Sequence, residues 1–302
     1  MKAFIIKSIF FVILFFVLEK ILFVFIFTAP YYENDRRLEK VLKGNLNKEL
    51  YVIGSSRGAR NIIAGQIEDS LGVSCFNLSY PGSNIIFHEF ILKAIIKHNK
   101  APKIILLTVD DMFQFFESEV LTFRFERLYP LVYYNYVNDL LVERGKKTFL
   151  SKYLALARVN RVNFRFKKIK AGPLDVLMDC GSMPIPFKKR DLILTRKTEK
   201  ENYDISFELV EKIDAFKSFQ NICAEHKIKL FVVFPPMLRS GSSSFENRIK
   251  MLSLDDVNYI KFNDLNTAYK KNNFYYDEGH LNTKGAVIFT NDVISNLKNE
   301  GF

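Results

Sequence analysis

The chain has 302 residues, of which 48% are apolar and 25% are charged, and its formal net charge is +11. This composition excludes intrinsic disorder and collagen-like repeats, and it fits one large domain or two small ones. The positive charge indicates attraction to a polyanion such as nucleic acid, anionic lipid or acidic polysaccharide. The three widely separated cysteines, Cys75, Cys180 and Cys223, support neither a zinc ribbon nor a disulfide scaffold.

The chain begins with an apolar run over residues 3–30. At about 1.5 Å per residue, a helix of this length crosses the roughly 30 Å hydrocarbon core of a bilayer. Lys2 and Lys7 lie at its start, so the positive-inside tendency predicts a cytoplasmic amino terminus and an extracytoplasmic chain after Tyr31. We therefore predict an uncleaved, single-pass cell-membrane anchor over residues 1–30. A cleaved signal peptide and a buried hairpin of a soluble protein are the alternatives.

Two charged residues, Glu19 and Lys20, interrupt the apolar run. Charges in the middle of a bilayer are costly, so these side chains must pair, snorkel or lie near an interface. The pair therefore predicts a tilted helix or an association with another membrane protein.

A polar connector over residues 31–47 leads into alternating strands and helices. Short apolar runs predict strands within the ranges 49–56, 73–84, 101–111, 229–236 and 257–264. Helical spacing predicts helices over 57–72, 85–100, 205–227 and about 283–297, the last one capped by Asn282 or Thr283. This alternation predicts an α/β domain over residues 48–302, with a parallel sheet and helices on both of its faces.

The alternation stops over about residues 112–202, which we interpret as a helical insertion rich in aromatic and basic residues. Between residues 141 and 170, Glu143 is the single acid among ten basic residues: Arg144, Lys146, Lys147, Lys152, Arg158, Arg161, Arg165, Lys167, Lys168 and Lys170. One interpretation is a surface held against anionic lipid headgroups or an anionic glycan, with an apolar side made of Tyr153, Leu154, Leu156 and Phe164. The other is a solvated helical face. Nucleic acid is not expected as a partner, because no nucleic-acid module is visible.

Four polar segments lie after predicted strands or just before the last helix, where open parallel sheets place their sites. They are Gly54–Arg57, Asn77–Asn84, Thr108–Asp111 and Asp277–Asn282. Each segment taken alone is also explained by an ordinary turn or helix cap. Their shared location at one edge of the sheet favours a common site.

The fourth segment carries Asp277 three residues before His280, a spacing at which a carboxylate can orient an imidazole that acts as a base. A metal site here lacks evident further ligands, so we favour proton transfer and expect no cofactor. The other histidines, His88, His98 and His226, lie within predicted helices or at their ends, and we interpret them as surface or packing residues.

In this order, the four segments resemble the blocks of the SGNH hydrolase superfamily, also called the GDSL family. The resemblance covers most of residues 48–110 and 205–298. It implies a three-layer α/β/α fold with a flavodoxin-like parallel sheet. It also implies a catalytic triad in which Ser56 is the nucleophile, His280 the base and Asp277 the acid that orients it.

The resemblance further implies that backbone N–H groups of Ser56 and Gly82 bind the oxyanion. Asp110 departs from the pattern, since the family has an asparagine there whose side chain donates to the oxyanion. An ionised carboxylate at this position repels the developing charge unless it is protonated or turned away. Asn84 is a candidate for the missing donor. Ser55 replaces the family's first aspartate and leaves the nucleophile intact.

These residues imply a serine esterase or O-acyltransferase that handles short, acetyl-like acyl groups. With its anchor, the chain also resembles membrane-tethered family members that work beside membrane-bound O-acyltransferases on exported polysaccharides. A cell-envelope glycan is then the expected substrate, and such a transferase a possible partner. A noncatalytic glycan-binding or scaffold module with the same fold is the alternative, and an esterase acting on lipid surfaces is a third.

Overall fold

The computed structural model describes residues 1–109, 111–186, 202–238 and 242–302. The chain folds as two compact units. The first comprises Met1–Glu39 and Arg124–Lys170, and the second comprises Lys40–Phe123 and Ala171–Phe302. The second unit contains the sheet and the segments that were singled out as the candidate site.

Ten α-helices and five strands are found among the described residues. The α-helices are α1 Lys2–Thr28, α2 Arg37–Leu42, α3 Ser56–Asn61, α4 Ala64–Leu71, α5 Ile85–His98, α6 Asn135–Glu143, α7 Ala155–Arg158, α8 Val210–Glu225, α9 Ser243–Leu252 and α10 Thr283–Asn299. The strands are β1 Leu50–Ile53, β2 Cys75–Asn77, β3 Ile104–Thr108, β4 Lys229–Phe234 and β5 Asn258–Lys261.

All five strands run parallel in one sheet of order β2-β1-β3-β4-β5, which confirms the predicted fold class. Val52 of β1 pairs with Asn77 of β2 on one side and with Leu106 of β3 on the other. Every residue of β1 and β3 is buried, as expected for strands covered on both faces. The order reverses between β1 and β3, so their carboxyl ends flank the switch point at which open α/β sheets bind ligands.

Helices cover both faces of this sheet. On one face, α3 and α4 pack against α10. There, Val52, Leu106 and Val233 share a buried core with Ile67 of α4 and Phe289 of α10. On the other face, α5 packs against α8. The alternation of side chains along each strand thus supplies both layers of the core.

The predicted helix over residues 57–72 is instead two helices, α3 and α4, separated by an extended break. The backbone N–H of Ile63 donates to the Thr290 hydroxyl at 3.0 Å, and that of Ala64 donates to the Ser182 hydroxyl at 2.9 Å. These tertiary hydrogen bonds replace helical ones, and local spacing gives no sign of them. The break leaves α3 as a short helix that belongs to the candidate site.

Two further elements bear on the predictions. The final helix begins after Asn282, whose side-chain oxygen accepts from the N–H of Gly285 at 3.2 Å, which confirms the predicted cap. Helix α9 has no counterpart among the predicted elements. It is capped by Ser242 and buries Phe245 and Ile249 on one side.

The first unit contains α1, a single continuous helix over Lys2–Thr28. Together with the turn through Tyr32, it is the one helix among the described residues that is long and apolar enough to cross a membrane. Most of its large apolar side chains are exposed. The predicted apolar helix is therefore confirmed, and the alternative of a buried hairpin is wrong.

Candidate active site

Ser56 is the first residue of α3 and follows the turn that leaves β1. Its backbone N–H lies at the helix start, where no intrahelical acceptor exists, so it can donate to a ligand. The turn requires a glycine at position 54, because a Cβ there would overlap the side chain of Thr108 on β3. The close approach of the ends of β1 and β3 therefore fixes the turn that precedes Ser56.

His280 connects Ser56 to Asp277. Its Nε2 lies 2.7 Å from the Ser56 hydroxyl oxygen, and its Nδ1 lies 2.8 Å from Oδ1 of Asp277. Because a carboxylate only accepts hydrogen bonds, we assign the imidazole proton to Nδ1, which leaves Nε2 to accept from the serine hydroxyl. The structure thus brings the three predicted residues into one hydrogen-bonded chain.

The Asp277 carboxylate also accepts from the backbone N–H groups of Gly279 and His280, each at 2.9 Å. Partial burial by itself raises the pKa of Asp277, but its hydrogen bond to His280, the charge that this imidazole carries when it is protonated, and these two N–H groups outweigh it. The net effect lowers the pKa of Asp277 to about 2. Asp277 is therefore ionised at neutral pH and holds the imidazole in the orientation that faces Ser56.

Asn61 connects the loop of His280 to the helix of Ser56. Its side-chain oxygen accepts from the backbone N–H of Leu281 at 3.1 Å, and the residue is fully buried. Since Asn61 lies at the end of α3, and Ser56 at its start, this hydrogen bond attaches the loop of His280 to the helix of Ser56. Asn61 is not among the predicted site residues, because no local pattern distinguishes it from an ordinary helical asparagine.

Gly82 lies in a turn beside the nucleophile. Its φ of +74°, the preceding Pro81 and a hydrogen bond from the N–H of Ser83 to the carbonyl of Tyr80 follow the pattern of a type II turn. The N–H of Tyr80 donates to the carbonyl of Gly54 at 2.9 Å, which fastens this turn to the start of the Ser56 turn. Among the described residues, none accepts a hydrogen bond from the N–H of Gly82, so this donor can serve a ligand.

A buried histidine, His88, forms a hydrogen bond with the last residue of the same turn. Nε2 of His88 lies 2.8 Å from the Ser83 hydroxyl, which also lies 3.1 Å from the Gly54 carbonyl. Full burial lowers the pKa of His88 to about 3, so the imidazole is neutral. The packing role predicted for His88 thus includes a link between the Gly82 turn and the Ser56 turn.

Arg57 follows the serine and is largely buried. Its Nη2 lies 3.1 Å from Oδ2 of Asp111, in the loop after β3. Both residues lie within the predicted site segments, but their pairing is not among the predictions. An arginine directly after the serine, with an acid after the neighbouring strand, is the signal from which this contact could have been predicted.

Two predicted oxyanion contributors have different outcomes. Asp110, which stands where the family has its asparagine, lies outside the described residues. Asn84 caps α5, where its side-chain oxygen accepts from the N–H of Phe87 at 3.1 Å. The asparagine that was a candidate for the missing donor therefore has a helix cap as its visible role.

Other candidate chemistry is not assembled in the part of the chain that the structure describes. There, no group of three or more His, Cys, Asp or Glu side chains could hold a metal ion. The thiols of Cys75, Cys180 and Cys223 are all free. The hydrogen-bonded chain from Ser56 to Asp277 is therefore the arrangement on which a function can be argued.

No family model matches the sequence, and no curated protein matches it significantly. Among solved structures, the chain is similar to the acetyl xylan esterase Est2A from the rumen bacterium Butyrivibrio proteoclasticus, with 10% identity and a TM-score of 0.36. The match covers 84% of this chain and 64% of that chain, so this chain spans less than two thirds of that esterase. A likeness this distant carries no inference about activity.

Proposed function

We propose that this protein is a membrane-anchored, extracytoplasmic serine esterase or O-acyltransferase of the SGNH type that acts on short acyl groups of a cell-envelope glycan. The observation that carries the proposal is the hydrogen-bonded chain from the Ser56 hydroxyl through His280 to Asp277. A hydroxyl paired with an imidazole that accepts its hydrogen bond, and that an ionised carboxylate orients, is an activated nucleophile.

In the first half of the reaction, Ser56 Oγ attacks the acyl carbonyl carbon while Nε2 of His280 takes the hydroxyl proton. The carbonyl oxygen becomes an oxyanion, which the N–H groups of Ser56 and Gly82 stabilise. Collapse of this intermediate breaks the bond to the leaving oxygen, and His280 returns its proton to that oxygen. The product is an acylated Ser56 and a free alcohol.

In the second half, water or a sugar hydroxyl attacks the acylated Ser56 and gives its proton to His280. Collapse then restores the Ser56 hydroxyl with that proton and releases an acid or a new ester. Attack by water makes the protein an esterase, and attack by a sugar hydroxyl makes it an acyltransferase. Exclusion of water and binding of the acceptor decide between the two outcomes.

The cellular setting rests on the amino-terminal helix and on the family resemblance. Lys2 and Lys7 at the start of α1 favour a cytoplasmic amino terminus, which leaves the second unit outside the cytoplasm. Tethered proteins with these sequence blocks modify exported polysaccharides, so a glycan is the proposed acceptor or substrate. A membrane-bound O-acyltransferase is the proposed source of acyl groups if transfer dominates.

One sequence observation favours a second candidate, a noncatalytic glycan-binding or scaffold module. Asp110 replaces the oxyanion asparagine, and an ionised carboxylate there weakens stabilisation of the intermediate. A module of this kind binds glycan as well after Ser56→Ala as before it.

The first test is intact-mass analysis of the full chain in nanodiscs after treatment with an alkyl fluorophosphonate. Attack by Ser56 Oγ forms an O–P bond, breaks the P–F bond and releases fluoride and a proton. We expect one adduct on the wild type and none on Ser56→Ala or His280→Ala. Ser55→Ala, which removes the adjacent hydroxyl, is the matched control and retains the adduct.

The second measurement identifies the reaction. Hydrolysis of 4-nitrophenyl acetate by the same samples reports deacylation by water, and mass analysis of added acetyl acceptors, such as xylo- or chito-oligosaccharides, reports transfer. A folded wild type that forms no adduct and hydrolyses no ester would contradict the catalytic proposal. Glycan binding that persists in Ser56→Ala would then support the binding module.

A further inference from the structure

Residues 149–170, called here the interfacial segment, run alongside the carboxyl-terminal half of α1 within the first unit. The Glu19 carboxylate accepts from the backbone N–H of Ala155 at 2.6 Å and from that of Leu156 at 2.9 Å. Higher along the helix, the ring of Phe25 packs on Phe164 with centroids 5.1 Å apart. The interfacial segment thus contacts successive levels of the apolar helix.

The contacts continue past the end of α1, into the turn through Tyr32. The N–H of Ile169 donates to the carbonyl of Tyr32 at 2.9 Å, and the Lys168 ammonium lies 4.5 Å from the Tyr31 ring centroid. Since α1 rises by a fixed distance per residue, the position of each contact along α1 gives its distance from the cytoplasmic end of the helix.

If α1 crosses a bilayer, these distances place the interfacial segment at the outer boundary of the hydrocarbon core. With Lys2 at the cytoplasmic boundary, a rise of 1.5 Å per residue puts Glu19 about 26 Å and Phe25 about 35 Å from that boundary. The hydrocarbon core is about 30 Å thick. Glu19 and its two N–H donors therefore lie just inside the outer boundary, and Phe164 lies just beyond it.

The Glu19 carboxylate and the two backbone N–H groups satisfy each other's hydrogen-bonding requirements. A carboxylate inside the hydrocarbon is costly, and so is a backbone N–H without an acceptor. The two hydrogen bonds from Ala155 and Leu156 to Glu19 compensate both costs at once. This contact allows the start of α7 to enter the outer leaflet beside the helix.

Large apolar side chains of the interfacial segment face outwards rather than into the unit. Leu150 is 58% exposed, Tyr153 71% and Phe166 69%. Exposed apolar groups clustered in this way mark an interaction surface. Their location beside the outer half of a membrane helix matches the acyl-chain and headgroup boundary, where aromatic side chains concentrate.

The carboxyl-terminal end of the interfacial segment, residues 167–170, is basic. Lys167, Lys168 and Lys170 are exposed, and none has an acidic partner within the described ranges. Basic side chains at headgroup level attract anionic phospholipids. Leu150 and Tyr153 precede the Glu19 contact in the interfacial segment, and the three lysines lie at its other end near Tyr31, so the two groups follow the polarity gradient of one leaflet.

We infer that the interfacial segment is a second, in-plane membrane attachment. Leu150 and Tyr153 insert among outer-leaflet acyl chains, and Lys167, Lys168 and Lys170 bind anionic phospholipid headgroups. This attachment does not depend on the proposed chemistry at Ser56. It requires α1 to cross the bilayer, so the test includes a label on that helix.

The test uses nitroxide labels on the full chain with Cys180→Ser, in nanodiscs of phosphatidylcholine and phosphatidylglycerol. Power saturation of the spin signal compares accessibility to oxygen with accessibility to a water-soluble nickel chelate. Labels at Leu150→Cys and Tyr153→Cys are expected to resemble the lipid reference Phe16→Cys. They are expected to differ from the water reference Leu265→Cys, an exposed position in the second unit.

Labels at Leu150→Cys and Tyr153→Cys that respond to nickel as strongly as Leu265→Cys would overturn the inference. So would a label at Phe16→Cys that is open to nickel, because α1 would then not cross the bilayer. Neither result bears on labelling of Ser56 by fluorophosphonate.

A second measurement tests the anionic headgroups. Native mass spectrometry counts the phosphatidylglycerol retained after release from nanodiscs. We expect severalfold less retention when Lys167, Lys168 and Lys170 are changed together to glutamine. The matched control changes the exposed Lys270, Lys271 and Lys284 to glutamine, for the same loss of charge elsewhere. Equal retention by the two variants would overturn the lipid-binding role of the first three lysines.

Discussion

The guanidinium Nη2 of Arg57 lies 3.1 Å from the carboxylate Oδ2 of Asp111, and both side chains are largely buried. The residue after the proposed nucleophile is therefore paired with the loop that follows the neighbouring strand. Burying an ion pair costs the free energy of desolvating both charges, so the pair need not stabilise the fold. Removing one partner alone, however, destabilises the fold. The contact ties α3 to the loop after β3 at the switch point of the sheet.

This pair predicts strong coupling in a double-mutant cycle. Arg57→Met or Asp111→Leu alone is expected to lower the free energy of unfolding by about 3 kcal/mol, because each removes one partner of a largely buried ion pair. The double variant should lose less than the sum of the two single losses. Urea unfolding of the full chain in detergent provides the measurement. Additive losses would contradict the direct pairing.

Asp277→Asn is expected to reduce the rate of ester hydrolysis by about 10⁴-fold, because an asparagine no longer selects the Nδ1–H tautomer of His280. Asp69→Asn, at an exposed position of α4, is the matched control and should retain full activity. The measurement is the initial rate with 4-nitrophenyl acetate. An Asp277→Asn enzyme within tenfold of the wild type would argue against its role as the orienting acid.

The lowered pKa of Asp277 also predicts an acid-dependent stability. The carboxyl titrates at about 2 in the folded chain against an ordinary value of 3.8, so the unfolded chain binds its proton first as the pH falls. The stabilisation is fully present above about pH 4 and is lost as the pH approaches 2. Thermal midpoints measured across this window should fall less for Asp277→Asn than for the wild type.

His88 predicts a second pH dependence at milder acidity. Its pKa is about 3 in the folded chain against an ordinary 6.5, so only the unfolded chain takes up this proton between those values. Stability from neutral His88 is complete above pH 6.5 and falls as the pH decreases, by up to about 1.4 kcal/mol per pH unit. His88→Gln, which keeps a donor for Ser83, should flatten the slope of unfolding free energy between pH 6.5 and 4.

The matched control for His88 is His226→Gln at the exposed carboxyl-terminal end of α8. This variant should reproduce the slope of the wild type. A slope that is unchanged in His88→Gln would show that another group causes the acid sensitivity.

Two glycines in the same region predict opposite effects of an added methyl group. Gly54→Ala places a Cβ against the Thr108 side chain and should destabilise the fold by about 1–3 kcal/mol through overpacking. Gly65→Ala meets only ordinary contacts with Cys180, and it lies in α4, so it should stabilise by up to about 1 kcal/mol. Chemical unfolding distinguishes the two. Equal effects would contradict the close approach of β1 and β3 at Gly54.

The α/β class, the parallel sheet and the apolar helix at the amino terminus were predictable from the sequence. Period and composition carry this information locally, since a strand buried on both faces, such as Ile104–Thr108, is a continuous apolar run whatever surrounds it. The polar segments after the strands also pointed to one edge of the sheet, because parallel strands bring their carboxyl ends together.

The contacts that hold the candidate site together were not predictable from the sequence and are seen in the folded chain alone. Hydrogen bonds from Asn61 to Leu281 and from His88 to Ser83, and the ion pair of Arg57 and Asp111, join residues whose local patterns are those of ordinary helices and loops. Likewise, the break between α3 and α4 depends on hydroxyls of distant residues, and the position of Ala155 beside α1 depends on Glu19. Such contacts depend on distances between elements, and spacing along the chain does not specify those distances.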